Sequence, residues 1–249
     1  MTEPRLYIEA DLSDGAEVAL EKDQAHYLRN VMRLGPGATL KLFNGRDGEW
    51  RAAIDHASKN RMDVALLEQL RPQTVEPDLW LLFAPIKGKR IDAIAEKAGE
   101  LGVSEIRPVL TERTVVGRVN TERLAANARE AAEQCERLTL PAVHEPAKLT
   151  EVIGNWPEDR RLLFADERAN ALPIAEALTG QQPGGKWAVL IGPEGGFAPA
   201  EQVLVRALPQ ALPVSLGPRL LRADTAAFAA LSLWQAHLGD WRGGDHGFA

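Results

Sequence analysis

Hydrophobic and polar residues alternate in short runs over the first part of this chain, and then the rhythm changes. Leu6-Tyr-Ile-Glu, Glu17-Val-Ala-Leu, Thr39-Leu-Lys-Leu-Phe, Glu49-Trp-Arg-Ala-Ala-Ile and Met62-Asp-Val-Ala-Leu-Leu read as half-buried strands. Gly35-Pro-Gly and Asn44-Gly-Arg-Asp-Gly read as turns, the second suited to a hairpin. One helix is predicted to interrupt the strands, over 23–33. Leu28, Val31 and Met32 form its apolar face, and His26, Arg29 and Arg33 fall together on another. Many short strands with glycine turns predict a small barrel.

Arg71-Pro-Gln-Thr-Val-Glu-Pro is a polar link. Beyond it, continuous apolar runs at 79–86, 106–110, 161–165, 188–191 and 213–216 alternate with helical stretches. That is the strand–helix alternation of a buried parallel sheet. The helix after Gly88 puts Ile91, Ile94, Ala95, Ala98 and Leu101 on one face. The last helix, 224–238, is apolar almost all round and is predicted to be buried on more than one side. Twofold pairing with a second copy is one way to cover it, with Phe228 and Trp234 filling the core or that contact. The tail from Gly239 reads as loose. The expected division is 1–73, a small β domain, and 74–249, an α/β domain.

Two stretches of the second part carry the candidate chemistry. One is Trp187-Ala-Val-Leu-Ile-Gly-Pro-Glu-Gly-Gly-Phe; the other is Pro213-Val-Ser-Leu-Gly-Pro-Arg-Leu-Leu-Arg-Ala-Asp-Thr-Ala. Each is an apolar run, then Gly-Pro, then a helix start. Such loops are expected side by side at the carboxyl edge of one sheet, where open α/β sheets bind ligands. Glycines let backbone approach a ligand closely, so free N–H and C=O groups could read an adenine edge and a ribose. There is no G-x-G-x-x-G and no P-loop lysine, which argues against NAD and nucleoside triphosphates. Either loop alone is equally an ordinary turn. Arg219 and Arg222 precede a helix N-terminus, where the dipole is already positive. That position points to function, or to an ion pair with Asp224 or Glu194.

Composition narrows this picture. The 249 residues are 45% hydrophobic, enough for a sizeable core. No apolar run reaches membrane-span length, and Met1-Thr-Glu-Pro-Arg-Leu-Tyr lacks signal-peptide character. A soluble cytoplasmic protein, without membrane contact, is expected. The single Cys135 excludes an intrachain disulfide and reads as a small hydrophobe. The five histidines lack metal-ligand spacing, so no metal is expected. The net charge of −6 argues against a globally basic nucleic-acid surface, so any RNA site must be a local patch.

Gly192-Pro-Glu-Gly-Gly-Phe and Leu216-Gly-Pro-Arg-Leu-Leu-Arg resemble the two signature loops of the RsmE-type RNA methyltransferases of the SPOUT class. The resemblance extends over nearly the whole chain. It takes in His26-Tyr-Leu-Arg-Asn-Val-Met-Arg-Leu, Lys97-Ala-Gly-Glu-Leu-Gly-Val, Ile106-Arg-Pro, Glu112-Arg-Thr and Glu130-Ala-Ala-Glu-Gln-Cys. It implies a SPOUT-type parallel sheet with a C-terminal trefoil knot, preceded by a PUA-like β-barrel that binds RNA. It implies S-adenosyl-L-methionine as methyl donor and a homodimer that completes each site. The implied reaction is methylation of uridine N3 in 16S rRNA, within the small ribosomal subunit. The donor site then involves Phe164, Ala165, Leu190, Ile191, Gly192, Pro193, Glu194, Gly195, Gly196, Ser215, Leu216, Gly217, Leu220, Leu221, Thr225 and Ala226. Arg222 is the candidate cation beside the uracil oxygens, and Glu194 is either a base or a group that holds its loop. RNA contacts are expected from His26, Arg29 and Arg33, and by resemblance from Arg5, Arg113 and Arg118. The chain has Ala223-Asp224 where the family has threonine and glutamate. The alternatives are a SPOUT enzyme acting on tRNA or a ribose 2'-hydroxyl, and a non-catalytic RNA-binding assembly protein.

Overall fold

The computed structural model describes residues 3–58, 61–166 and 171–242. Two compact units are present. The first comprises Met1–Val75 with Ala132–Leu140, and the second Glu76–Ala131 with Pro141–Ala249.

The first unit holds strands β1 (Arg5–Tyr7), β2 (Glu17–Ala19), β3 (Thr39–Phe43), β4 (Glu49–Ala57) and β5 (Met62–Arg71). Their order in the sheet is β1-β3-β4-β5-β2. Only β1 and β3 are parallel; the other pairs are antiparallel. Alternate positions point inward, so Leu40, Leu42, Ile54, Met62 and Val64 are fully buried with Leu28.

This unit is not one continuous stretch, and two arginines account for that. Arg5 and Arg71 both pair with the buried Glu49 carboxylate, at 2.5 and 3.0 Å. Their remaining donors reach the carbonyls of Ala132, Arg137 and Glu136. Phe43 packs with Ala132 and Leu138, and the Arg5 guanidinium lies 3.7 Å over its ring. Segment 132–140 is thus bonded to the sheet by its own backbone oxygens.

The predicted helix over 23–33 forms differently. An α-helix, α1 (Lys22–His26), runs directly into a π-helical turn, Tyr27–Val31. The Met32 N–H bonds to the Tyr27 carbonyl, and the Leu34 N–H to the Leu28 carbonyl. These wider spans replace the usual four-residue spacing, so a 3.6-residue face no longer describes the segment. Arg33 lies beyond the helix at φ 58°. That left-handed conformation is uncommon for a residue with a Cβ.

The second unit is built on parallel strands. They are β6 (Leu79–Phe83), β7 (Glu105–Leu110), β8 (Ala142–Val143), β9 (Ala147–Lys148), β10 (Arg160–Ala165), β11 (Leu172–Pro173), β12 (Lys186–Ile191) and β13 (Ala211–Ser215). The order is β11-β13-β10-β12-β6-β7-β8, and β9 also pairs with β7. Helices α2 (Arg90–Glu100), α3 (Thr121–Gln134), α4 (Leu149–Gly154), α5 (Ile174–Thr179), α6 (Pro199–Arg206) and α7 (Ala223–Leu238) accompany them. The continuous apolar runs divide by alternation. Leu79, Leu81, Phe83, Leu163, Val189 and Ile191 join the core under α2, α5 and α7. Leu82, Leu162, Phe164, Ala188 and Leu190 join a second core with residues of α4 and α6. Helices on both faces are what a two-sided apolar strand requires.

Helix α7 packs against α2, α5 and the strands β6 and β12. Ala226, Ala227, Ala230 and Leu231 are buried, and Trp234 is wholly inside. Most of its apolar surface is therefore covered within its own unit, while Phe228 and Leu233 remain half-buried. Of the predicted loose tail, residues 243–249 lie outside the described residues.

Candidate functional site

The two glycine-proline loops leave the carboxyl ends of β12 and β13. They are not adjacent, as the sequence suggested: β10 lies between those strands, and its end, Ala165 and Asp166, stands between the loops. The chain passes from one side of β10 to the other here. Such a switch in strand order leaves a crevice outside the strand ends. The crevice is a cavity of about 470 Å³, within the range of small-ligand sites.

Three segments supply most of its wall. Ala165 and Asp166 come from the end of β10; Ile191, Gly192, Pro193, Glu194, Gly196 and Phe197 come from the first loop. The second loop supplies Ser215, Leu216, Gly217, Leu220, Leu221 and Arg222, with Pro218 and Arg219, and α7 adds Ala226. Four predicted donor residues do not line it. Phe164 and Leu190 are buried in the core shared with α4 and α6, because strand alternation turns them that way. Gly195 faces Arg113, and Thr225 is exposed on α7. Asp166, at the strand end 164–166 expected beside the loops, does line it; Phe197, Gln202, Val214 and Ala223 were not anticipated as wall residues.

Gly192 has a packing reason to be glycine. A Cβ there would lie 2.6 Å from the Phe197 ring, and that ring is pinned edge-on against Phe164 at a centroid distance of 5.1 Å. Gly217 adopts φ 107°, where a side chain would strain the backbone. The Asp166 side chain is nearly inaccessible and pairs with Arg206 of α6, whose Nε is 2.9 Å away. A buried carboxylate needs such a partner.

The charged rim sorts itself by partner. Glu194 pairs with Arg90 of α2 at 3.0 Å, which occupies the group proposed as a base. The buried Asp224 Oδ1 has no hydrogen-bond partner. Neither acid is paired with Arg219 or Arg222, and both arginines are exposed beside the cavity. Arg222 is the last residue before α7, in an extended conformation, and its carbonyl accepts the Ala226 N–H.

The candidate RNA residues separate in the same way. Arg5 is buried in its ion pair with Glu49, so it serves the first unit's interior rather than a phosphate. Burial lowers its pKa, opposed by Glu49. Burial alone would push the Glu49 carboxyl up; hydrogen bonds from Arg71 and Arg5 outweigh this and hold it below its ordinary value. Arg29 donates to the Ser58 carbonyl, whereas His26 and Arg33 are exposed. Tyr27, 40% exposed, was not anticipated. Arg118 is exposed in the second unit, and Arg113 bonds the carbonyls of Gly195 and Phe197. Among the described residues no group of side chains could hold a metal ion, and no helix is long and apolar enough to cross a membrane.

Fold and cavity together define an α/β protein with a cavity of small-ligand size at the carboxyl edge of a parallel sheet. Comparison with known proteins narrows the class. Residues 74–235 match the RNA methyltransferase domain family, and residues 20–67 the RNA methyltransferase PUA domain family. The ribosomal RNA small subunit methyltransferase E of Rickettsia conorii is 32% identical over 92% of this chain and 93% of its own. That of Synechocystis is 34% identical over 92% of this chain and 76% of its own. A crystal structure of ribosomal RNA small subunit methyltransferase E from Neisseria gonorrhoeae, bound to S-adenosyl methionine, superposes with a TM-score of 0.86. It is 29% identical and covers 96% of this chain and 100% of its own. The chain belongs to the ribosomal RNA small subunit methyltransferase E family of RNA methyltransferases.

Proposed function

We propose that this chain methylates uridine N3 in 16S rRNA, with S-adenosylmethionine as donor and the small ribosomal subunit as setting. The observation that carries this reading is that the cavity is walled by the two loops that carry the family resemblance. The residues present fit the donor. The cavity volume suits it, Ile191, Leu216 and Leu221 offer apolar walls to an adenine, and the glycine backbone at Gly192, Gly196 and Gly217 permits close approach. When bound, this donor supplies an electrophilic methyl group on a sulfonium.

The chain's own residues then have two tasks. The loops align the acceptor with the methyl group, which is catalysis by proximity. Arg222 places a fixed positive charge at the cavity rim, where it would stabilise the uracil anion formed as N3 loses its proton. Glu194 is engaged with Arg90 rather than poised as a base. RNA reaches the first unit at His26 and Arg33, with the exposed Tyr27 ring available for base stacking.

The proposal extends to a knot formed by the C-terminal segment and to a homodimer. The support for a dimer within the chain is Leu220, 78% exposed beside the cavity, and the half-buried Phe228 and Leu233. Sedimentation tests it: a monomer at high micromolar concentration with full activity overturns it. For the reaction, mass spectrometry of 16S rRNA from a deletion strain should show loss of one methylated uridine, restored by the gene. Unchanged 16S rRNA with a methyl mark lost from tRNA would reassign the substrate.

A further inference from the structure

The first donor loop, residues 192–196, contains three glycines. Glycine-rich backbone is expensive to hold in one conformation, yet a site that aligns two reactants must be held. Four side chains from elsewhere in the second unit reach this loop or its end; one of them, Gln202, donates from Nε2 to the Phe197 carbonyl at 3.4 Å. Arg90 pairs with Glu194 at 3.0 Å, but both side chains are substantially exposed, and such pairs contribute little. The buried Glu201 carboxylate accepts the Ala198 N–H at 2.9 Å and the Glu112 N–H at 2.8 Å, joining the loop's end to the turn after β7. Arg113, on that same turn, donates from Nη1 to the Gly195 carbonyl at 2.9 Å and to the Phe197 carbonyl at 3.4 Å.

Among the described residues, Arg113 is the one whose side chain holds the glycine stretch itself by a charge-assisted bond to backbone, at Gly195. Its side chain lies along the loop: a Cβ added at Gly195 would come 3.6 Å from Arg113 Cδ and 3.7 Å from its Cβ. Its own base is firm. The Thr114 hydroxyl accepts the Thr111 N–H at 2.9 Å, and the Thr114 N–H bonds the Thr111 carbonyl at 3.1 Å, closing the turn. An arginine whose donors point at carbonyls of its own unit differs from one extended toward a phosphate.

We propose that Arg113 is a positioning residue for donor binding, fixing the Gly192–Phe197 loop through the Gly195 carbonyl, and is not an RNA contact. This rests on the reading of the cavity as the donor site. The test compares full-length wild type with Arg113→Ala and Arg113→Lys. Hydrogen exchange reads the loop without donor, calorimetry reads S-adenosylmethionine affinity, and fluorescence anisotropy reads binding to a 16S-derived RNA. In Arg113→Ala, amides of 192–197 should exchange faster while β12 keeps its protection. Donor affinity should fall about tenfold, Arg113→Lys should lie between, and RNA affinity should stay within about twofold. Loop exchange and donor affinity both unchanged would overturn the inference. RNA affinity lost with donor affinity intact would overturn it too, and would make Arg113 a phosphate contact. A wild type that binds no donor would bring down the donor reading and this inference together. A donor-binding wild type matched by an indifferent Arg113→Ala would bring down the inference alone.

Discussion

Arg5 and Arg222 are both arginines that the sequence offers for function, one toward RNA and one toward the uracil oxygens, and the two units use them oppositely. In the first unit, Arg5 is buried with Glu49 on one side and backbone carbonyls on the other, and Arg71 completes the set. In the second unit, Arg222 stands exposed at the cavity rim, while the nearby acid that could have neutralised it, Glu194, is taken by Arg90. A buried charge survives only with its partners supplied by the fold. An exposed one beside a cavity keeps its field for whatever enters. The lesson concerns partners: the residue type is the same, and the completeness of the hydrogen-bond set decides the role.

The strongest way to break this comparison is Glu49→Ala. It leaves Arg5 buried without its carboxylate, and removing one partner of a buried pair costs about 3–5 kcal/mol. Urea unfolding followed by the first unit's signal should show that loss, with donor binding retained below the transition. A loss under about 1 kcal/mol would mean that Arg5 is effectively solvated and belongs with Arg222.

Arg222→Ala sharpens the other side. Catalytic rate should fall about a hundredfold, with unfolding stability changed by less than about 0.5 kcal/mol. A stability loss comparable to that of Glu49→Ala, with the rate preserved, would make Arg222 structural. Gly192→Ala comes next. Its Cβ must displace the Phe197 ring, which is itself held by Phe164, so overpacking costs about 1–3 kcal/mol. Donor affinity by calorimetry should weaken with it, whereas Gly195→Ala, with only ordinary contacts, should change both far less.

The smallest effect is with pH. The folded pKa of Glu49 lies below its unfolded value. Its contribution is therefore complete above the unfolded value of about 4.3, and is lost as pH falls through the depressed folded value. The first unit should lose stability over that acid range, and Glu49→Gln should remove this part of the pH dependence. Equal acid profiles for wild type and variant would show that the carboxylate is not held by its arginines.

Much of the fold was legible because it is periodic. Continuous apolar runs between helical stretches specify a parallel sheet covered on both faces, and β6, β7, β10, β12 and β13 lie where those runs are. The two glycine-proline loops were legible as a site because glycine and proline report local backbone needs. Less was legible where a residue's role depends on a distant partner. Nothing near Arg5 in sequence announces Glu49 or the carbonyls of Ala132 and Arg137. The π-helical turn at Tyr27–Val31 breaks the spacing that placed His26, Arg29 and Arg33 on one face.

The sequence by itself determined the local terms: which runs are strands, where turns fall, which helix must be buried on more than one side, and which loops can approach a ligand. These follow from side-chain periodicity and backbone propensity, which act over a few residues. Tertiary structure alone decided the strand order that sets Ala165 and Asp166 between the two loops, and the cover that α2 and α5 give to α7. It alone decided that Arg5 is interior, that Arg113 bonds the Gly195 carbonyl and that Arg222 is exposed at the rim. Those outcomes depend on desolvation and on hydrogen-bond partners far away in sequence. A charge's energy changes several-fold between water and the interior, so its role is settled only when the chain closes around it.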